Sequence, residues 1–282
     1  MDRAPERPII TLTTDFGLQD TYAGQLKGAL LKGCPSAALV DLTHAIPPWD
    51  VVTAAITIRT SFAFFPVGTI HLIVVDPGVG GGRSILAACG SGHQFVAPDN
   101  GILSLLVADQ KLERAHRVEH PEFFRPAASP TFHGRDVMAQ VVAALAQDRP
   151  LEDVGPAADI RHLVTAIVPA TVPGTDCLHG QIQRIDHFGN IRTTIRGGRG
   201  GFDPVGFASL DIGGQRINTL ARTYAEARPG QLLALLDSSG YLEVAANQAS
   251  AAEILDCAPG DPVTLHLKQC QINVMESKRR ER

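Results

Sequence analysis

The sequence is poor in several features that would have fixed its class at once. Its 282 residues include five cysteines, Cys34, Cys89, Cys177, Cys257 and Cys270, far apart and without a C-x-x-C pair. That pattern gives neither a disulfide framework nor a structural zinc site, and it predicts reduced, mostly buried thiols. No run of 18 apolar residues occurs, so a membrane-spanning helix is not expected, and residues 1–8 lack the apolar core of a signal peptide. A cytoplasmic location is the expectation. Charge is scarce in one sense too: 25 Lys and Arg against 29 Asp and Glu leave a net charge of −4, with no electrostatic footprint for nucleic acid. The basic end, Lys278 to Arg282, reads as a solvated, frayed terminus. There is no H-E-x-x-H and no G-K-[ST], and neither internal repeats nor low-complexity blocks are present.

What remains is an ordinary globular composition, 44% hydrophobic and 19% charged, in a chain long enough for two domains or one large one. Its most informative stretch runs from Thr69 to Arg83. Apolar, β-branched residues from Ile70 to Val75 predict a strand buried on both faces, which stops at Asp76, Pro77 and a run of glycines. An aspartate at the carboxyl end of a parallel strand stands where open α/β sheets bind ligands, and glycines there let backbone approach closely. Arg83 can fold back toward Asp76. A Gly-rich turn with a surface ion pair is the plainer alternative. Dinucleotide binding fits poorly, because Arg83 occupies the place of the fingerprint's third glycine.

The preceding chain repeats the theme. Ile9 to Thr14 predicts a strand ending at Asp15; Asp20 can cap a helix from Thr21 to Gly33, with Leu26, Leu30 and Leu31 on one face. Ala37 to Leu42 is the next strand, followed by a Pro-rich loop carrying Trp49, and Asp50 starts a helix over 51–64. Further on come a hairpin-like pair over 85–88 and 94–97 bridged by Gly90-Ser-Gly92, a short helix over 102–107, and a helix from Gly134 or Arg135 to Ala146. Alternating strands and helices imply an α/β domain, mainly parallel, over residues 8–168. Pro169 to Gly174 is the linker candidate. Beyond it, short strands over 180–186, 190–195, 207–212, 232–236, 242–246 and 262–267 with Gly, Asn and Asp turns predict a smaller antiparallel, barrel-like all-β domain over 175–270.

Asp15, Asp20, Trp49, Asp76, Arg83 and His133 thus lie on loops of the first domain. Each has a dull explanation singly: Asp20 as a helix cap, Trp49 as core cover, His133 as structural. Their convergence on one sheet edge favours a functional reading.

Five motifs carry a family resemblance: Thr13-Thr-Asp-Phe-Gly17, Val74-Val-Asp-Pro-Gly-Val-Gly80 with Arg83, Ala97-Pro-Asp-Asn-Gly101, Thr131-Phe-His-Gly-Arg-Asp136 and Ile185-Asp-His-Phe-Gly-Asn190. In this order, from about Ile9 to about Leu267, the chain resembles the S-adenosyl-L-methionine hydroxide adenosyltransferases, relatives of the fluorinase and chlorinase. The resemblance implies hydrolysis of S-adenosyl-L-methionine to adenosine and L-methionine by attack of water or hydroxide at ribose C5′, with Asp76, Arg83 and His133 as the catalytic triad. It implies Asp15 at the ribose hydroxyls, Asp20 and Trp49 nearby, Asp186 at the methionine amino group, Asn190 at adenine, and Ser238, Glu243 and Ala246 in the segment completing the pocket. Halogenases carry a tyrosine at the position of Asp76 and lack the counterpart of His133, and the fluorinase's long insertion after the first few strands is absent here. Hydroxide transfer is therefore favoured, while a halogenase and a non-catalytic adenosine or S-adenosyl-L-methionine binder stand as alternatives; a metallohydrolase using Asp15, Asp76 and His133 is the least favoured. The resemblance further implies a homotrimer, each site shared by the first domain of one subunit and the second of its neighbour. No cofactor or metal is expected, because the sulfonium is already a good leaving group.

Overall fold

The computed structural model describes residues 7–124, 129–198 and 201–268. The basic end and Cys270 lie outside the described residues. The chain divides into two compact units, the boundary in sequence falling between Ile167 and Val168.

The first unit is built on a seven-stranded sheet: β1 (Ile9–Thr14), β2 (Ala38–Thr43), β3 (Ile70–Val74), β4 (Ile85–Gly90), β5 (His93–Pro98), β6 (Arg114–Arg117) and β7 (Ala157–Ala158), in the order β2-β1-β3-β5-β4-β6-β7. β2, β1, β3 and β5 run parallel, but β4, β6 and β7 are added antiparallel, so the sheet is mixed rather than mainly parallel. The reason is local. The Ser91-Gly92 turn, with φ of 50° and 78°, folds β4 back on β5 as a tight hairpin, and no helix intervenes to cross over.

Helices α1 (Tyr22–Gly33) and α4 (Ala139–Leu145) cover one face, α2 (Val51–Ser61) and α3 (Ser104–Ala108) the other. Side-chain alternation along β3 accounts for a run that is apolar but for His71: Ile70, Leu72 and Val74 enter the first core, Ile73 and, just past the strand, Val75 the second. Asp50 caps α2 as expected, accepting from the Thr53 N–H (2.8 Å) and hydroxyl. Asp20 does not cap α1: the helix opens after Thr21 with no side-chain cap, and Asp20 is exposed. Leu26 and Leu30 are fully buried but Leu31 is 42% exposed, because it lies a hundred degrees around the helix from Leu30. Of the described cysteines, all free thiols, Cys34 is buried and the other three are only partly so.

The second unit is a barrel-like antiparallel sheet of β8 (Val172–Pro173), β9 (Cys177–Ile185), β10 (Ile191–Arg196), β11 (Phe207–Ile212), β12 (Gln215–Ile217), β13 (Leu232–Leu236), β14 (Tyr241–Ala246) and β15 (Pro262–Leu267). Its main path is β12-β11-β15-β9-β10-β14-β13. The ends nearly close, since Ala221 N–H donates to the Ala234 carbonyl and Ala234 N–H to that of Thr219, just past β12. Part of the expected linker is strand: Val172 and Pro173 pair with β9. A helical turn, α5 (Ala251–Leu255), capped by Ser250, has no counterpart in the sequence reading. No helix among the described residues is long and apolar enough to cross a membrane.

Candidate active site

Parallel pairing aligns the carboxyl ends of β1 and β3, with Thr14 opposite Val74, so Asp15 and Asp76 emerge at one edge of the first unit. Asn100 braces that edge by donating from Nδ2 to the Val75 carbonyl (2.9 Å). Asp76 and Arg83 close on each other across the glycine loop. Arg83 Nε donates to Oδ1 (3.1 Å) and Oδ2 (2.9 Å), and Nη2 lies 2.5 Å from Oδ2. With side chains only 6% and 12% exposed, the plainer expectation of a surface pair does not hold. Charges held this dry need every partner they have, because desolvation is costly.

The loop glycines serve loop-on-loop packing. Gly80, at φ 78°, lies so close to Pro130 that a Cβ would stand 2.5 Å from its carbonyl oxygen. This brings the Asp76 loop against the segment carrying His133, whose Nδ1 is 3.0 Å from Arg83 Nη2. A guanidinium only donates, so Nδ1 accepts and the neutral ring carries its proton on Nε2. Burial first, then the charge of Arg83, pushes the His133 pKa below 6.5 against the opposing pull of Asp76 and Asp136. His133 leads into a π-helical turn, Gly134–Met138, that continues as α4. The result is a carboxylate with spare lone pairs beside an imidazole N–H donor, a pair able to orient water. Both Asp76 oxygens and His133 Nδ1 are already engaged by Arg83, and no group of three His, Cys, Asp or Glu able to hold a metal gathers among the described residues.

Asp15 accepts the Trp49 N–H on Oδ2 at 2.9 Å. Trp49 adopts φ 67°, a left-handed conformation that costs a non-glycine residue about 1–2 kcal/mol, and the residue is 73% exposed, so it is not core cover.

In the second unit Asp186, Asn190 and Ala246 line one cleft of about 630 Å³ with Phe188, Tyr224 and Ser250. Asp186 Oδ1 accepts from the N–H groups of Phe188 and Asn190 (both 2.9 Å), and Asn190 Nδ2 donates to Oδ2 (3.1 Å), so the carboxylate also shapes its own turn. Glu243 stands outside the cleft lining, buried, and accepts the Tyr224 hydroxyl (2.9 Å). Burial above all raises the Glu243 pKa, and burial plus this bond pushes that of Tyr224 up to about 12. Ser238 is exposed on the β13–β14 turn, next to Asp237, which pairs with the buried Arg192 at 2.5 Å. Tyr224, Phe188 and Arg192 escaped the sequence reading. Tyr224 sits in an irregular segment without periodicity, and Arg192 lies among alternating strand residues where an arginine reads as solvent-facing.

The fold and site define a class: a two-unit protein with an α/β unit whose sheet edge carries a half-buried carboxylate, guanidinium and imidazole, and a β unit with a nucleoside-sized cleft. Residues 10–155 match the SAM hydroxide adenosyltransferase N-terminal domain and residues 180–264 its C-terminal domain. The chain belongs to the SAM hydroxide adenosyltransferase family. It is 39% identical to the (R)-S-adenosyl-L-methionine hydrolase of Thermus thermophilus over 267 residues (92% of this chain, 99% of the relative). Against the protein of the same name from Salinispora arenicola the identity is 37% over 255 residues (90% and 96%). A fluorinase from Nocardia brasiliensis is 32% identical (87% and 92%). Among solved structures, an uncharacterized conserved protein from Thermotoga maritima superposes with a TM-score of 0.83 at 31% identity, covering 91% of this chain and 99% of that one.

Proposed function

We infer that this protein hydrolyses S-adenosyl-L-methionine to adenosine and L-methionine. The observation that carries the reading is the half-buried Asp76, Arg83 and His133 constellation in a chain 35–39% identical to proteins named (R)-S-adenosyl-L-methionine hydrolase.

In the proposed reaction Asp76 accepts one proton of a water molecule and the His133 Nε2–H donates to its oxygen, holding a lone pair in line with the C5′–S bond. The C5′–O bond forms as C5′–S breaks; sulfur leaves with the bonding pair as the neutral thioether of methionine. The water's surplus proton departs to solvent by way of Asp76. Arg83 keeps the carboxylate oriented and balances its charge. Asp15 accepts from the two ribose hydroxyls, with Asp20 and Trp49 at the same rim. Asp186 takes the methionine ammonium, Asn190 the adenine edge, and Ser238, Glu243 and Ala246 complete the pocket, Glu243 through Tyr224. The homotrimer implied by the family would bring the two kinds of half-site together between neighbouring copies, and a cytoplasmic location would place the enzyme with its substrate.

Purified protein incubated with S-adenosyl-L-methionine and resolved by chromatography should yield equimolar adenosine and methionine, with or without chelator. A 5′-halo-5′-deoxyadenosine on adding chloride or fluoride would identify a halogenase instead. Substrate binding without turnover would identify a binding protein.

A further inference from the structure

Apart from the Asp76 constellation, a polar network among the described residues of the first unit joins the loops leaving β1 and β2. Gly17 N–H donates to the His44 carbonyl (2.8 Å) and Ile46 N–H to that of Thr14 (3.3 Å). Thr14 Oγ1 lies 2.8 Å from His44 Nδ1, and both residues are buried. Thr14 Oγ1 also accepts the Phe16 N–H (3.2 Å), and the carboxylate beside Nε2 favours the tautomer with its proton there, in which Nδ1 accepts the Thr14 hydroxyl. Nε2 stands 3.1 Å from Asp41 Oδ1, within ion-pair reach though off-line for a hydrogen bond, and Lys27 Nζ holds Asp41 at 2.6 Å. A chain of polar groups thus runs from Lys27 through Asp41, His44 and Thr14 to the peptide just before Asp15.

On the far side of Asp15 the backbone is held as firmly. Trp49 keeps its left-handed conformation while its N–H engages Oδ2. With that lone pair committed, the direction in which Asp15 presents its remaining lone pairs is set by the Thr14–Asp15 peptide and the loop bearing Trp49. His44 holds the chain on both sides of Asp15, its backbone carbonyl taking the Gly17 N–H and its ring meeting the Thr14 hydroxyl.

We propose that His44 is a positioning residue: through Thr14 it fixes the Asp15 carboxylate in the orientation that grips the ribose hydroxyls. This rests on the reading of Asp15 as the ribose contact. It assigns to a buried imidazole outside the Asp76 constellation a share in substrate affinity, leaving the chemical step to other residues.

The test uses the full chain, with steady-state kinetics on S-adenosyl-L-methionine and calorimetric binding of adenosine and of 2′,3′-dideoxyadenosine. Thr14→Val keeps shape and removes only the hydroxyl. It should raise KM and the adenosine Kd about three- to tenfold, the scale of one lost hydrogen bond, while kcat changes less than about twofold. His44→Leu should match it, and the double variant should be no worse than either, because both break one link. His44→Asn, whose amide oxygen replaces Nδ1 as acceptor, should recover most of the affinity. Dideoxyadenosine, which lacks the gripped hydroxyls, should bind the Thr14→Val and parent proteins alike. Equal losses for adenosine and dideoxyadenosine, or a fall in kcat alone, would overturn the proposal. Unchanged adenosine binding by Thr14→Val would overturn it too, provided Asp15→Ala weakens that binding. Unchanged binding by Asp15→Ala would instead remove the ribose reading underneath.

Discussion

Gly134 packs directly against Val74: a Cβ on this glycine would stand 2.7 Å from Val74 Cγ1. Val74 ends β3, two residues before Asp76, and Gly134 follows His133. A missing side chain therefore sets the spacing between the strand that delivers the carboxylate and the turn that delivers the imidazole.

Gly134→Ala should push that turn off the strand. Overpacking of this kind costs about 1–3 kcal/mol, read as a lower urea midpoint at unchanged m-value, and turnover should fall more than substrate affinity. Val74→Ala in the same chain should restore part of both; stability and kinetics unchanged in Gly134→Ala would mean that the contact relaxes freely.

Arg83→Lys should lower kcat by about 10²-fold or more with little change in KM. A lysine keeps the charge but cannot span both oxygens of Asp76 and Nδ1 of His133 together. Asp76→Ala should fall at least as far, and initial rates of adenosine formation measure both. Parent-like kcat in the lysine variant would show that charge alone suffices.

The rate should have an acid limb. Burial and Arg83 hold the His133 pKa below 6.5, so the neutral ring persists through neutral pH and is lost only as pH falls below that value. Protonation puts a cation against Arg83 and removes the acceptor at Nδ1. The profile of kcat/KM should be flat near pH 7 and fall below pH 6.5; the limb should disappear from the residual activity of His133→Gln.

Stability should carry its own pH signature, from a different histidine. His71 is fully buried in β3 between Thr11 (2.7 Å) and His93 (3.2 Å), and burial, helped by His93, drops its pKa from 6.5 to about 3. The unfolded chain binds a proton from pH 6.5 downward while the folded chain refuses it until about pH 3. This contribution to stability is complete above pH 6.5 and is lost as pH falls through that window, on the order of 2–3 kcal/mol by pH 4.5. Urea unfolding between pH 7 and 4.5 should show it, and His71→Phe should flatten the slope even if it lowers stability at pH 7. An equal slope in the variant would assign acid sensitivity to other groups.

Much of the first unit could be read from the chain. The apolar run of β3, the Gly90-Ser-Gly92 hairpin and the Asp50 cap are local signals, carried by a few neighbouring residues, and the structure has each of them. Asp20 as a cap and Leu31 as core failed because where a helix begins and which way it turns depend on what packs against it. The outer antiparallel strands escaped for a similar reason: β6 and β7 are short, β6 is polar in part, and both are paired across long stretches of sequence, so no local period marks them.

The sequence by itself determined the two-unit plan and most of the strands, and singled out Asp76, Arg83 and His133 as candidates, because strand periodicity, turn chemistry and the five motifs are local and need no partner to be recognised. Only the tertiary structure decided that Arg83 bonds both Asp76 and His133, that the imidazole proton sits on Nε2, and that His44 reaches Thr14 behind Asp15. Hydrogen bonds between residues fifty or thirty positions apart depend on parallel register and loop packing, and those are set by burial of the whole sheet.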